Sequence, residues 1–189
     1  MTRRGFTIVE LIVVIAILGI LLVLGVVNLR GTQANARDQE RIGDISSLAL
    51  QFEAYYNTGN YEEGRNPGTY PATGTIALST ASLQNIFREL DRKILFAPGA
   101  DAASTTYKSL VGATNTVQTT TGVTPAPETD TSSPTSNNNY VYQPLQSDGS
   151  LCTTVTQGCR RFNFFYKLEN PTTDCPAPDN ICMITSKNR

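Results

Sequence analysis

The feature that most constrains this chain is an apolar run near its N-terminus. Nineteen consecutive uncharged residues, Leu11 to Leu29, follow a single acidic residue, Glu10. A helix rises about 1.5 Å per residue, so a run of that length crosses a hydrocarbon layer of about 30 Å. The run is also longer than the roughly 7 to 15 apolar residues of a secretory signal. The sequence therefore predicts one membrane-spanning helix.

The acid at the head of this run requires a partner, because a carboxylate inside a bilayer costs about 2.5 to 3.5 kcal/mol at the centre and less near the rim. Cleavage after Gly5 would create such a partner, the new amine on Phe6. That amine would lie one helical turn from Glu10 of the same subunit, or against Glu10 of a neighbour if helices stagger. Gly5, Phe6 and Glu10 are therefore the candidate functional residues of this segment.

The same residues carry a resemblance to a known family. Arg3 and Arg4, then Gly5, Phe6 and the sequence Thr-Ile-Val-Glu-Leu ahead of a long apolar helix resemble the class III signal of type IV pilins and pseudopilins, including protein G of the general secretion pathway. The resemblance implies that a prepilin peptidase cleaves after Gly5 and methylates Phe6. It also implies that Glu10 neutralises the terminus of an adjacent subunit during assembly.

Two other interpretations of the N-terminal segment stay open at this stage. In a plain single-pass anchor, Glu10 would be an interfacial acid near the helix start, where the helix dipole favours negative charge. In a secreted protein, signal peptidase I would cut after Ala34-Asn35-Ala36, which has the small-x-small form of its site. The three interpretations predict different mature N-termini.

Beyond the membrane segment, the sequence predicts that the helix continues to about residue 57. Apolar residues recur there at spacings of three and four and form one stripe. The stripe consists of Ile42, Ile45, Leu48, Phe52 and Tyr55. Opposite charges three residues apart are predicted on the solvated side, where such pairs favour a helix. They are Arg37 with Glu40, Asp38 with Arg41, and Arg41 with Asp44.

The rest of the chain predicts an α+β fold in which a small antiparallel sheet covers this stripe. Aromatic and apolar residues alternate with mostly polar ones over 161–168, which indicates a strand with a buried aromatic face, and a last strand is expected at 181–185. The segment before the sheet contains a predicted amphipathic helix at about 80–94 and, from about 104 to 139, a Thr/Ser/Asn-rich flexible loop that builds no core. The predicted organisation is a leader (1–5), a membrane and filament-core helix (6–29), an amphipathic helix half (30–57), a variable middle (58–139) and a disulfide-bonded sheet region (140–189).

The four cysteines form two pairs of identical spacing, Cys152 with Cys159 and Cys175 with Cys182. Three disulfide connectivities are possible, and local pairing is the favoured one. Zinc is the rival interpretation, but structural zinc usually takes cysteines about two to four residues apart, and the chain has no histidine. Disulfides would place the C-terminal domain on the oxidising side of the membrane.

The composition gives no indication of an enzyme. The chain has no histidine, no glycine-rich phosphate loop and cysteines that look structural, so no catalytic site, metal or cofactor is expected. The resemblance suggests a calcium site, because major secretion pseudopilins often hold calcium in an acidic, glycine-rich loop. Asp174 and Asp179 lack that dense pattern and are interpreted as solvated acids, which favours a pilus subunit over a secretion pseudopilin.

The sequence therefore leads to the hypothesis of a structural subunit of a type IV pilus-like filament. The expected partners are copies of itself and other pilins, a prepilin peptidase, inner-membrane assembly machinery and membrane lipid. The precursor would sit in the inner membrane with its leader in the cytoplasm and its C-terminal domain outside, and the filament would reach the cell surface. Alternatives are a secretion pseudopilin, a monomeric membrane-anchored binding protein, and a competence pilin that binds DNA, which the chain's sparse cations disfavour. The cations considered for DNA are Arg160, Arg161, Lys187 and Arg189.

Overall fold

The computed structural model describes residues 7–59, 67–87, 90–100, 108–120, 122–124, 127 and 139–188. The chain divides into two compact units, Met1–Arg37 and Asp38–Arg189. We call the second unit the head. Its secondary structure contains helices and a sheet, which confirms the predicted α+β class.

Helix α1 spans Ile8–Thr58, so the predicted continuation beyond the membrane segment is confirmed. Within the head, the apolar stripe of α1 faces inward: Ile45, Leu48 and Phe52 are fully buried, and Tyr55 is nearly so. The helix ends where its sequence reaches Asn57, Thr58 and Gly59. Gly59 has φ +67°, a conformation that glycine adopts readily and that commonly ends a helix.

Four strands form one sheet in the order β1-β2-β3-β4. They are β1 (Leu110–Gly112), β2 (Tyr140–Leu145), β3 (Arg161–Lys167) and β4 (Ile181–Thr185). The pairs β2–β3 and β3–β4 are antiparallel, as predicted, but β1 runs parallel to β2. The sheet is therefore mixed. A three-residue strand is too short to show alternation in sequence, so β1 falls within the predicted loop.

An aromatic cluster joins α1 to the inner face of the sheet. The Phe52 ring stacks on Phe87 with ring centroids 4.7 Å apart and meets Tyr142 edge-on, also at 4.7 Å. Phe164 of β3 lies 5.2 Å from the same ring. Aromatic pairs in these geometries are favourable beyond the area they bury. The predicted covering of the helix stripe by the aromatic face of β3 is thus confirmed.

The outer face of the sheet is covered as well, and the prediction that residues 104–139 build no core is wrong. Ala113 and Val123 are buried against Val141 and Phe165. Residues 113–120 and 122–124, which we call the covering segment, are held by polar bonds. Gln143 Nε2 donates to the carbonyls of Asn115 (2.9 Å) and Val117 (2.8 Å). The composition does not reveal this packing, because a few small apolar residues are enough to cover the sheet when a buried amide supplies the hydrogen bonds. The remainder of the predicted loop lies outside the described residues.

The helix predicted at about 80–94 is not continuous. Helix α2 spans Thr73–Ile76, helix α3 spans Thr80–Ile86, and a separate 3₁₀ turn spans Arg92–Leu95. Two caps explain the division. Ser79 accepts from the Ser82 amide at 3.2 Å and begins α3, while Asp91 accepts from the Lys93 amide at 2.9 Å and begins the turn. The predicted apolar face, Leu83, Ile86, Phe87 and Leu90, is buried.

Charged residues predicted on the solvated side of α1 are buried in the head. Arg41 is 1% exposed and forms ion pairs of 2.9 Å with both Asp38 and Glu169. Asp38 also accepts hydrogen bonds from the backbone amides of Glu169 (2.8 Å) and Asn170 (3.0 Å). The chain after β3 passes over α1 and needs acceptors for these amides, which the spacing of charges along a helix cannot reveal.

A second buried carboxylate fastens the start of β2 to α1. Asp44 is 8% exposed and accepts a hydrogen bond of 3.0 Å from the Tyr140 hydroxyl. Burial raises the pKa of Asp44 to about 6, although the bond from Tyr140 acts in the opposite direction. The nearby Glu40, itself in an ion pair of 2.6 Å with Lys93, adds a smaller upward contribution to the pKa.

We expect Arg41→Ala to lower the free energy of unfolding by about 3 to 5 kcal/mol, because it leaves buried carboxylates without their cation. The measurement is urea unfolding of the detergent-solubilised chain, followed by near-UV circular dichroism of its tyrosines. Lys93→Ala is the matched control, since its ion pair with Glu40 is exposed and its loss should leave the unfolding midpoint nearly unchanged. Equal effects of the two substitutions would contradict the assignment of a structural role to Arg41.

We expect the stability of the head to fall as the pH rises from about 4 to about 6, because Asp44 binds its proton more tightly folded than unfolded. Asp44→Asn keeps an oxygen for the Tyr140 hydroxyl and removes the ionisation. The variant should exceed the wild type in stability above pH 7, on the order of 2 kcal/mol, and lose that advantage near pH 4. Unfolding midpoints measured across this range test the expectation, which parallel pH profiles would refute.

Candidate functional site

The first candidate site is the apolar part of α1. Residues 8–25 have a mean hydropathy of 3.1, and none of this stretch is buried within the subunit. Ile8 is 79% exposed and Leu22 is 70% exposed. By length and composition the segment meets the requirement for a membrane span. Soluble proteins rarely expose contiguous apolar surface of this size, so the segment requires lipid or other apolar helices around it.

Glu10 lies at the start of this segment and caps the helix. Thr7 donates to Glu10 Oε2 twice, from its backbone N–H at 2.8 Å and from its hydroxyl at 2.9 Å. In return, the Glu10 amide donates to the Thr7 hydroxyl at 3.3 Å. This reciprocal arrangement is a capping box, which satisfies amides that a helix leaves unbonded in its first turn.

This cap is absent from the sequence predictions, although Thr7-Ile-Val-Glu10 is its signature. The carboxylate is therefore already bonded within its own subunit through one oxygen. Gly5 and Phe6, the predicted cleavage residue and mature terminus, lie outside the described residues together with the rest of the predicted leader. The predicted pairing of Glu10 with an amine on Phe6 is untested by the structure.

Two disulfides lie in the head, in the locally paired arrangement that the spacing favours. Cys152 bonds to Cys159 and closes the connection between β2 and β3, and Cys175 bonds to Cys182 and closes the chain ahead of β4. The first loop also holds the segment before α2. The Tyr70 amide donates to the Cys159 carbonyl at 2.9 Å, and the Thr73 amide donates to the Cys152 carbonyl at 3.0 Å.

Asp174 and Asp179, weighed as calcium ligands, are both exposed beside the second disulfide. Across the described parts of the chain, no three or more His, Cys, Asp or Glu side chains are grouped to hold a metal ion. The two aspartates therefore lie as free carboxylates on a disulfide-closed loop.

The basic residues considered for DNA gather in part at one end of the sheet. Arg161 is the first residue of β3, Arg160 precedes it and Lys187 follows β4. The antiparallel pairing of these strands brings the three cations to the same end. The Arg160 guanidinium donates to the Gly68 carbonyl at 2.6 Å, so it fastens a neighbouring turn. Arg189 lies outside the described residues.

Comparison with known proteins gives one family model and several relatives. A family model described as "Prokaryotic N-terminal methylation motif" matches residues 1–26. The Type II secretion system core protein G of Dickeya chrysanthemi is 38% identical over 74 residues, 39% of this chain and 46% of that protein. The core protein G of Pectobacterium carotovorum subsp. carotovorum is 37% identical over 89 residues, 39% of this chain and 57% of that protein.

A third relative, the Type II secretion system core protein G of Escherichia coli (strain K12), is 36% identical over 66 residues, 35% of this chain and 46% of that protein. The chain spans about half the length of the curated relatives it matches. No solved structure matches it. The methylation motif, the exposed apolar helix and the similarity to core protein G agree with one another, and together they support a resemblance to the type IV pilins and pseudopilins.

Proposed function

We propose that this chain is a filament subunit of the secretion pseudopilin kind. It enters the inner membrane as a precursor, is cleaved after Gly5, is methylated on Phe6 and polymerises through the first half of α1. The observation that carries the proposal is the apolar surface of residues 8–25, which finds no cover within the subunit and begins with a single acid. A bundle of such helices would bury the surface from water and leave Glu10 in need of a cation.

The capping box gives the acid a defined position before assembly. Glu10 Oε2 is bonded to Thr7, while Oε1 accepts no hydrogen bond from a described residue. Cleavage would place the amine of Phe6 next to Thr7 in the chain, within reach of its own Glu10 or of a neighbour's. In an apolar bundle the unpaired charges are costly, so their pairing would select one axial stagger between subunits.

The relatives direct the proposal towards secretion instead of a pilus. All three reported relatives carry the name Type II secretion system core protein G. The sequence hypothesis of a pilus subunit depends on Asp174 and Asp179, which lack the pattern of a calcium loop. The described residues around them form no group that could hold a metal ion. That argument concerns one loop, whereas the relatives match 35% to 39% of this chain and the methylation motif matches residues 1–26. We therefore assign the secretion kind, with the head on the oxidising side, where its two disulfides persist.

We expect N-terminal mass spectrometry of the mature chain to find methylated Phe6 as its first residue. Gly5→Val should leave the leader in place and abolish filaments, because the amine that pairs with Glu10 never forms. Recovery of a mature chain that begins at Met1 would favour a monomeric anchor. A chain that begins at Arg37 would show cleavage by signal peptidase I, and either result would contradict the proposal.

We expect Glu10→Ala to be cleaved normally and to lower the yield of sheared filaments at least about tenfold, because each mature amine then lacks its counter-charge in an apolar bundle. Thr7→Ala is the matched control, since it removes the hydroxyl bonds of the capping box and keeps the acid. This control should assemble nearly as well as the wild type. If the two variants lose filaments equally, Glu10 acts as a helix cap and the pairing mechanism is wrong.

A further inference from the structure

A polar groove lies on the outer face of the sheet, at the end where β3 begins. It has a volume of about 360 Å³ and is bounded by the covering segment, by β2 and β3, and by the end of β4. We call it the Arg161 groove. The residues that matter to its chemistry are Gln118, Leu145, Arg161, Asn163, Thr185 and Asn188. Among the described residues that line it, one carries a cation, three carry carboxamides, two carry hydroxyls and none carries an acid.

Two of these side chains retain bonding capacity within the described structure. The Arg161 guanidinium makes no ion pair or hydrogen bond to a described residue. Asn163 is 6% exposed, and its Nδ2 donates to Gln143 Oε1 at 2.9 Å, while its Oδ1 accepts from no described residue. A carboxylate is the group that a guanidinium binds best, through two parallel hydrogen bonds. The groove is therefore suited to an acidic side chain.

The opposite end of β3 carries such acids. The acidic loop, residues 171–180, contains Asp174 and Asp179 and no cation. Both carboxylates are exposed, and neither forms an ion pair or hydrogen bond with a described residue. The disulfide between Cys175 and Cys182 restrains the loop. The seven residues of β3 separate the acidic loop from the Arg161 groove, a distance of about 20 Å at strand spacing. The loop and the groove of one head are therefore too far apart along the strand to contact each other.

We infer that the acidic loop of one copy docks in the Arg161 groove of the next copy in the filament. The inference rests on the proposed function and names the contact between heads. The two surfaces differ and lie at opposite ends of the sheet, so the contact is head-to-tail and leaves a free groove and a free loop after each addition. Such an interface extends without closing, as a filament requires, and its charges are complementary.

Charge reversal in the full chain tests this contact. Arg161→Asp should lower the yield of sheared filaments about tenfold, because it places like charges opposite each other. Asp174→Lys with Asp179→Lys should do the same. The combination of all three substitutions should return the yield to within about twofold of the wild type, because it restores opposite charges. Each variant should be cleaved after Gly5 and accumulate to the wild-type amount.

Milder variants cover the case in which Arg161→Asp fails to fold. Arg161→Gln keeps a polar side chain in the groove, and Asp174→Asn with Asp179→Asn alters only exposed groups. Each should lower the filament yield several-fold. Lys187→Asp is the matched control, since this cation lies at the same end of the sheet outside the groove, and it should assemble as the wild type does.

Three outcomes would overturn the inference. The aspartate variants could assemble normally, the triple variant could fail to recover, or Lys187→Asp could lose as much filament as Arg161→Asp. A loss confined to the Arg161 variants would show that the groove holds another acidic ligand. In each case wild-type filaments that still depend on Glu10 leave the proposed function intact, whereas a wild type that forms no filaments refutes that function itself.

Discussion

The head depends on the packing of one stripe of α1 against the inner face of the sheet. Phe52 is the centre of that contact, with aromatic rings of α3's C-terminal end, β2 and β3 around it. Three acids on the same stretch of helix fasten the chain near the strand ends. Asp38 binds the chain after β3, Asp44 binds the first residue of β2, and Glu53 accepts from the Lys187 amide after β4 at 2.7 Å. The helix thus supplies both the core and the acceptors that position the sheet.

Features that repeat along the chain could be predicted from the sequence, whereas features that depend on a distant segment could not. The stripe of α1 and the aromatic face of β3 follow from periodicity, and they are where the sequence places them. The burial of Arg41 could not be read in the same way, because its partner Glu169 is 128 residues away. The break between α3 and the following 3₁₀ turn coincides with a local cap at Asp91, which an apolar face at helical spacing does not reveal.

The candidate assembly site was predictable in its residues and less so in its geometry. The position of Glu10 in an apolar run follows directly from the sequence. Its bonds to Thr7 do not follow from the free-energy cost of placing a carboxylate in a membrane. The Arg161 groove was not predictable at all, because it is formed by residues from the covering segment, three strands and the chain after β4. In the sequence the cations of this end form one group, and nothing in that group distinguishes Arg161 from Arg160.

The covering of the outer face has a consequence for how subunits of this kind diverge. Val141 and Phe165 are buried beneath Ala113 and Val123, whose segment is held in place by the amide of Gln143. A lineage that deleted the covering segment alone would expose two large apolar side chains on the outside of every subunit. Loss of the segment and replacement of Val141 and Phe165 by polar residues therefore have to occur together, so insertions here evolve as units with the strand positions beneath them.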